Sequence, residues 1–321
     1  MTSTRTALLL SATAVTALVL AGCATDGDES SDDAVSIVAS TNVYADIAQT
    51  VAGDAAEVTA IIHDASQDPH EYEATSRDAL AISEADIVVM NGGGYDEFVS
   101  TLLDAHTADQ VVIDAVDVSG LEGDEHADEG DADDDGDEHA DDDGHDHGEF
   151  NEHVWYDFDA MDAVAHEIAN ELGEIVPESA AQFTANADAF ADGLSALADR
   201  ATSISDAHAG AGVAITEPVP LYLLEAAGLV NETPEEFSEA VEEGTDAPVL
   251  VVQEVIDLVS DGSIAFLAYN EQTVGPQTEE VLAAAESAGT PVVSFSELLP
   301  DGEDYLGWMG ANLDAIESAL A

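Results

Sequence analysis

Residues 35–62 read VSIVASTNVYADIAQTVAGDAAEVTAII. Val35–Ala39 is a short apolar run, as a buried strand requires. Val43–Ala52 carries apolar residues at helical spacing, with Asn42 placed as its N-cap. Val58–Ile62 returns to strand character. The same alternation continues downstream. Thr75–Ala85 is a predicted helix opened by Thr75 with Asp78 three residues on, the pattern of a capping box. Asp86–Met90 is a strand ended by Gly92-Gly93-Gly94, Tyr95–Ala105 a helix, and Val111–Asp114 a strand. This βαβα order implies a largely parallel sheet with helices on both faces.

The second half repeats the style. Strands are expected at Gly212–Thr216, Ile264–Tyr269 and Pro291–Phe295. Helices are expected at Pro218–Ala227, Pro234–Glu243, Pro248–Ser260, Thr278–Ala288 and Glu303–Ala321. Between the halves, residues 160–205 are Ala-rich, with one proline, Pro177. They read as a helix to Val176 and a long helix from Glu178 to Ser205, weakened only modestly by Gly173 and Gly193. The fold class is therefore α/β: two lobes, each a mostly parallel sheet flanked by helices, joined by one long rigid helix. The expected boundaries are residues 35–158 for the first lobe, 159–206 for the helical region and 207–321 for the second lobe.

The chain has 321 residues, 71 of them acidic and 3 of them Arg or Lys, for a formal net charge of -68. Nucleic-acid binding needs a basic surface that displaces counterions from phosphates, so that class is excluded. With 46% hydrophobic residues in periodic runs, the chain is not disordered throughout. Such an acidic balance repels itself at low salt and is screened at high salt. It fits a salty or cation-rich exterior, or a secreted protein of skewed composition.

Residues 1–22 read as an export signal, with Arg5 ahead of the apolar stretch Ala7–Ala21. That stretch is short for a membrane span, which needs about 20 apolar residues. It ends in Leu20-Ala21-Gly22-Cys23, which resembles the lipobox of bacterial lipoproteins. Cys23 is the one cysteine of the chain, so no intrachain disulfide forms. A lipid on Cys23 would anchor the mature chain to the membrane's outer face. Residues 23–34 then form an acidic tether.

Residues 121–149 hold sixteen carboxylates and four histidines, His126, His139, His145 and His147. With almost no apolar side chains this segment is expected to be a mobile loop. Imidazole and carboxylate together suit zinc and similar ions, so it is an auxiliary, weak metal-collecting loop. Asp131-x-Asp133-x-Asp135-Gly136 resembles the opening of an EF-hand loop. However, the twelfth position is Asp142 rather than Glu, and a tract so rich in Asp gives this match by chance.

Three motifs stand apart: Asp68-Pro69-His70-Glu71-Tyr72-Glu73, Asn151-Glu152-His153-Val154-Trp155-Tyr156-Asp157, and Thr216-Glu217-Pro218. The first and third follow strands, where parallel sheets bind ligands. Each is weak by itself. A lone loop His is usually a surface residue, and Glu217 could merely cap a helix. His63 and His208 are expected at the surface.

Taken together, these motifs, the lipobox, the acidic insert and the long connector resemble the zinc/manganese solute-binding lipoproteins of bacterial ABC importers. The resemblance implies one divalent ion held between two lobes. Carried over, His70 and His153 match two ligands, and Glu217 sits where zinc members carry His and manganese members Glu. The fourth position departs from the pattern, since Tyr269-Asn270-Glu271-Gln272-Thr273-Val274-Gly275-Pro276 lacks the Asp of manganese members. Water, Glu271 or Glu71 are the candidates. Two imidazoles and a carboxylate suit Zn2+, with Mn2+ as the alternative.

The resemblance further implies a monomer that delivers its ion to an ABC permease driven by a separate ATPase. Affinity should fall as pH drops through the histidine range near 6.5. A zinc metallohydrolase would use similar donors, but no HExxH is present, nor a G-x-S-x-G or phosphate-loop motif. An adhesin or surface calcium-binding protein using the acidic tract is a further rival.

Overall fold

The computed structural model describes residues 34–64, 67–70, 72–105, 110–121 and 150–321. Cys23 and the four histidines of the acidic loop lie outside the described residues, as does Glu71. Residues 34–321 form one compact unit.

The first lobe runs β1 (Val35–Thr41), α1 (Asn42–Ala52), β2 (Ala56–Ile62), α2 (Ser76–Glu84), β3 (Ile87–Met90), α3 (Glu97–Asp104), β4 (Val111–Asp114) and α4 (Ala115–Ser119). Its sheet has the order β2-β1-β3-β4. All pairs are parallel, with Ile37 opposite both Val58 and Ile87, and Ile87 opposite Val111. Strand β1 continues to Thr41, two residues past the apolar run, because Thr41 still pairs with Ile62. The capping box at Thr75 and Asp78 forms as its sequence dictates.

Asn42 does not cap α1. It sits in the first turn, and Thr41 takes the cap position without a side-chain bond. The Asn42 amide instead pairs with the backbone of Leu299: Nδ2 donates to its carbonyl at 2.7 Å, and Oδ1 accepts from its N–H at 3.0 Å. Two long-range bonds replace one local cap, and they tie the first lobe to the second.

A helical turn at Val154–Tyr156 leads into α5 (Phe158–Ile175) and α6 (Ala180–His208). The second lobe then runs β5 (Gly212–Ile215), α7 (Leu221–Ala226), β6 (Val230–Asn231), α8 (Glu235–Glu242), α9 (Val249–Ser260), β7 (Leu267–Asn270), α10 (Pro276–Ala288), β8 (Val292–Phe295) and α11 (Tyr305–Ala319). Its order, β6-β5-β7-β8, repeats that of the first sheet, again with parallel pairing. The short elements α4 and β6 carry too few residues to give a periodic signal.

Helix α6 has 29 residues, about 43 Å at 1.5 Å per residue. It buries Phe183, Ala187, Phe190, Leu194, Leu197, Ala201 and Ile204. These alternate in steps of four and three, a single apolar seam along its whole length. The seam packs on α5, α1 and α11, so one helix serves both lobes. Gly193 is a packing position rather than a weak point, since a Cβ there would meet Leu306 Cδ1 at 2.5 Å. The main apolar core is continuous across the lobes, from Ile37 and Ile87 through Trp155 and Phe190 to Ile215 and Trp308.

Candidate metal centre

In each sheet the chain reverses its winding beside the central strand, and the carboxyl ends there form a natural ligand crevice. His70 lies in the loop after β2. Its backbone N–H donates to Asp68 Oδ1 at 2.9 Å, which turns the loop at Pro69. Tyr72 holds the far side, its ring 4.8 Å from Phe98 and its hydroxyl donating to Asp78 at 2.9 Å. The His70 ring stands edge-on to Tyr95 at 4.8 Å.

The segment 151–156 is pinned from both lobes. Asn91 Nδ2 donates to the Glu152 carbonyl at 2.9 Å. Tyr222 donates to the Asn151 carbonyl at 2.7 Å, and Tyr305 to the Trp155 carbonyl at 2.6 Å. Asn151 fixes the His153 tautomer. Its Nδ2 donates to the Pro218 carbonyl at 3.2 Å, so Oδ1 faces the other way and accepts from the His153 N–H at 3.2 Å. The same Oδ1 lies 2.7 Å from His153 Nδ1, which must therefore carry the proton. The Nε2 lone pair is left for a ligand, the usual arrangement of a supported metal-binding imidazole. Trp155 walls the ring at 5.0 Å, and His153 is 1% exposed.

His70, Glu152, His153 and Glu242 offer one ligand atom each, all within 4.8 Å of one another. His70 Nε2 is 3.9 Å from Glu152 Oε1, and His153 Nδ1 is 3.8 Å from Glu242 Oε1. Buried Glu242 Oε1 has no hydrogen-bond partner. A buried carboxylate oxygen without a donor, beside two imidazoles, suits a cation.

Glu217 follows β5 and lies in a second carboxylate group. Asn270 Nδ2, at the end of β7, donates to Glu217 Oε2 and, at 2.8 Å, to Glu297 Oε1. Glu297 Oε2 accepts from Tyr95 Oη at 3.2 Å, which joins this group to the histidine wall. Glu217 is 4% and Glu297 2% exposed, and the described residues place no Lys or Arg beside them.

Burial dominates the electrostatics. It lifts Glu217 to about 8 and Glu242 to about 9, with the charges of neighbouring glutamates adding to both. Glu297 and Glu152 rise to about 7, again chiefly through burial. Burial also lowers His70, and with the charge of His70 it holds His153 well below the ordinary histidine range. At neutral pH the imidazoles are therefore neutral and ready to coordinate, whereas Glu217 and Glu242 hold protons that a cation must displace. The pH window expected from free histidine thus moves: the carboxylates, not the imidazoles, titrate near neutrality.

The structure thus brings His70 and His153 together. It places Glu217 deeper, outside the close group of four. Glu271 is exposed and stands outside both carboxylate groups; its N–H extends the strand pairing to the Phe295 carbonyl at 3.2 Å. His63 is exposed and His208 partly so. Three residues were not anticipated. Glu152 stands inside a motif read for its histidine. Glu242 ends an acidic amphipathic helix, which reads as a solvated face. Glu297 had a usable signal: Ser296-Glu297 follows a buried strand as Thr216-Glu217 does.

The family model for the periplasmic component A of the zinc-uptake complex matches residues 37–319. The chain belongs to this family. It is thereby one of the solute-binding proteins of metal ABC importers, matching relatives along their whole length. The manganese-binding lipoprotein MntA of Halalkalibacterium halodurans is 27% identical over 317 residues, 96% of each chain. The manganese ABC transporter substrate-binding lipoprotein PsaA of Streptococcus pneumoniae is 26% identical over 332 residues, 96% of each chain. A crystal structure of ZnuA superposes with a TM-score of 0.70 at 22% identity, covering 90% of this chain and 100% of that one. The periplasmic zinc-binding protein TroA of Treponema pallidum gives 0.69 at 18%, covering 90% and 99%. These two likenesses establish the fold of two parallel sheets flanked by helices. Among the described residues no helix is long and apolar enough to cross a membrane.

Proposed function

We propose that this chain captures Zn2+ outside the cell membrane, anchored through a lipid on Cys23, and passes it to an ABC permease coupled to an ATPase. The observation that carries the reading is the close group of four donors, with His70 from the first lobe, Glu152 and His153 from the segment pinned by both lobes, and Glu242 from the second. His70 and His153 supply neutral nitrogen. Glu152 and Glu242 meet the ion at the mouth of the crevice. Glu217 and Glu297 form its oxygen floor, and Glu297 rather than Glu271 takes the fourth place beside Glu217.

Nitrogen plus carboxylate is a donor set zinc accepts readily, and zinc stands above manganese in the divalent affinity order. Manganese is the second reading, favoured by the four buried or half-buried carboxylates around the two rings. Catalysis is disfavoured, because the family to which the chain belongs is one of solute-binding proteins.

The test is calorimetric titration of metal-stripped residues 24–321 with Zn2+ and Mn2+ at high salt, beside His70→Ala and Glu217→Gln. One tight ion per chain, lost in the His70 variant and weakened in the Glu217 variant, supports the reading. Numerous weak sites alone would return the function to the acidic tract.

A further inference from the structure

The turn at the end of β7, Asn270-Glu271-Gln272-Thr273, lacks the Asp of manganese members. It does something else. Asn270 Nδ2 bridges two carboxylates contributed by different strands, Glu217 after β5 and Glu297 after β8. Its own Oδ1 accepts from the Gln272 N–H at 3.0 Å, so the amide cannot rotate without losing a bond. The Asn270 N–H donates to Thr216 Oγ1 at 2.9 Å, which fixes the residue beside Glu217. Gln272 then holds the other carboxylate's backbone: its Oε1 accepts from the N–H groups of Glu297 at 2.6 Å and Leu298 at 3.0 Å. One short turn thereby controls the side chain and the main chain of Glu297 together with the side chain of Glu217.

We propose that Asn270 is the positioning residue of the oxygen floor: it holds Glu217 and Glu297 as a preassembled pair that faces the imidazoles. The inference rests on the metal-capture reading above and adds to it a residue that never touches the ion. Once a cation displaces their protons, two buried carboxylates repel and separate when nothing bridges them. A planar amide offers two N–H groups at a fixed angle, and here they are shared among both carboxylates and the Thr273 hydroxyl, whose oxygen lies 3.1 Å from Nδ2. It occupies Oε2 of Glu217 and Oε1 of Glu297, which leaves Glu297 Oε2 turned towards Tyr95, the ring that packs on His70. Preassembly removes the cost of ordering the pair during capture. It also fixes how many oxygens reach the ion, and coordination number is what separates zinc-type from manganese-type sites.

The experiment uses the metal-stripped mature chain with Asn270→Leu, which keeps a similar volume and loses both donors. Zn2+ affinity is measured by competition, and the visible spectrum of the Co2+-loaded protein reports coordination geometry. The expected result is a loss of about 10–100-fold in Zn2+ affinity, with a changed Co2+ spectrum and a cooperative melt of the metal-free protein. An unchanged Co2+ spectrum, whatever the affinity, overturns the inference. If Asn270→Leu does not melt cooperatively, Gln272→Ala, which releases only the Glu297 backbone, carries the same two readouts. His70→Ala separates the two levels. Retention of the tight ion there sinks the metal reading itself, whereas loss there with a wild-type Asn270→Leu sinks only the positioning role.

Discussion

The first lobe lines the crevice chiefly with aromatic and imidazole rings, with Glu152 beside them, and the second lines it with carboxylates, although both sheets have the same strand order. On the first side, His70 packs edge-on to Tyr95, and His153 edge-on to Tyr95 and Trp155, with Tyr95 and Trp155 tilted at 49°. Packing holds those rings, and burial keeps the imidazoles unprotonated. On the second side, Glu217 and Glu297 are held by donated hydrogen bonds, and burial raises them to about 8 and about 7. One topology thus gives two surfaces of opposite proton habit. A divalent ion reconciles them, since it accepts lone pairs from both and replaces the protons of one.

The largest expected effect breaks the ring side. Structural zinc sites are worth about 10–16 kcal/mol shared over four ligands, or about 3 kcal/mol each. His153→Ala should therefore weaken Zn2+ binding by about a hundredfold or more. Calorimetry showing wild-type affinity would place the ion wholly among the carboxylates. Next comes Asn151→Ala, which removes the acceptor from His153 Nδ1 at 2.7 Å. The ring then loses its fixed tautomer, and affinity should fall about 10–100-fold. Loss of fold rather than affinity, read from the melt of the metal-free variant, would make Asn151 a structural link to Pro218 instead.

A smaller effect sharpens the proton contrast. Glu217 and Glu297 titrate at about 8 and about 7 against an ordinary 4.5. The folded metal-free chain therefore binds more protons than the unfolded chain between these values. Its stability is fullest below 4.5 as far as these groups are concerned, and this contribution is lost as pH rises through about 7–8. The melting temperature of the metal-free protein should fall from pH 5 to pH 8, and the gain on adding Zn2+ should grow over that range. Calorimetry in buffers of different ionisation enthalpy should register proton release near neutrality. A gain that shrinks with pH would show that the carboxylates do not meet the ion.

The fold was legible because β1 to β4 follow from short apolar runs, and α6 from an Ala-rich stretch broken only at Pro177. Asn42 was misread because a distant backbone, Leu299, outcompeted the local cap. The histidines were legible because each stands in a distinctive short motif. Glu242 and Glu297 were not, because in a chain with 71 acidic residues a carboxylate carries little information until burial singles it out. The hydroxyl-then-Glu pattern after β5 and β8 shows that position relative to a strand end was the better clue.

The smallest effect concerns residues 122–149. They lie outside the described residues, but their flanks do not. Leu121 and Phe150 are partly buried against the main core, and a Cβ on Gly93 would come within 3.2 Å of Phe150. Replacing 122–149 with a short Gly/Ser linker therefore leaves both anchor points intact. None of His70, Glu152, His153, Glu217, Glu242 or Glu297 belongs to the excised segment. One tight ion per chain should remain with unchanged affinity, while the weak additional sites of the four loop histidines disappear from the titration. Loss of the tight ion would transfer capture from the crevice to the loop, and the contrast between rings and carboxylates would then describe packing alone.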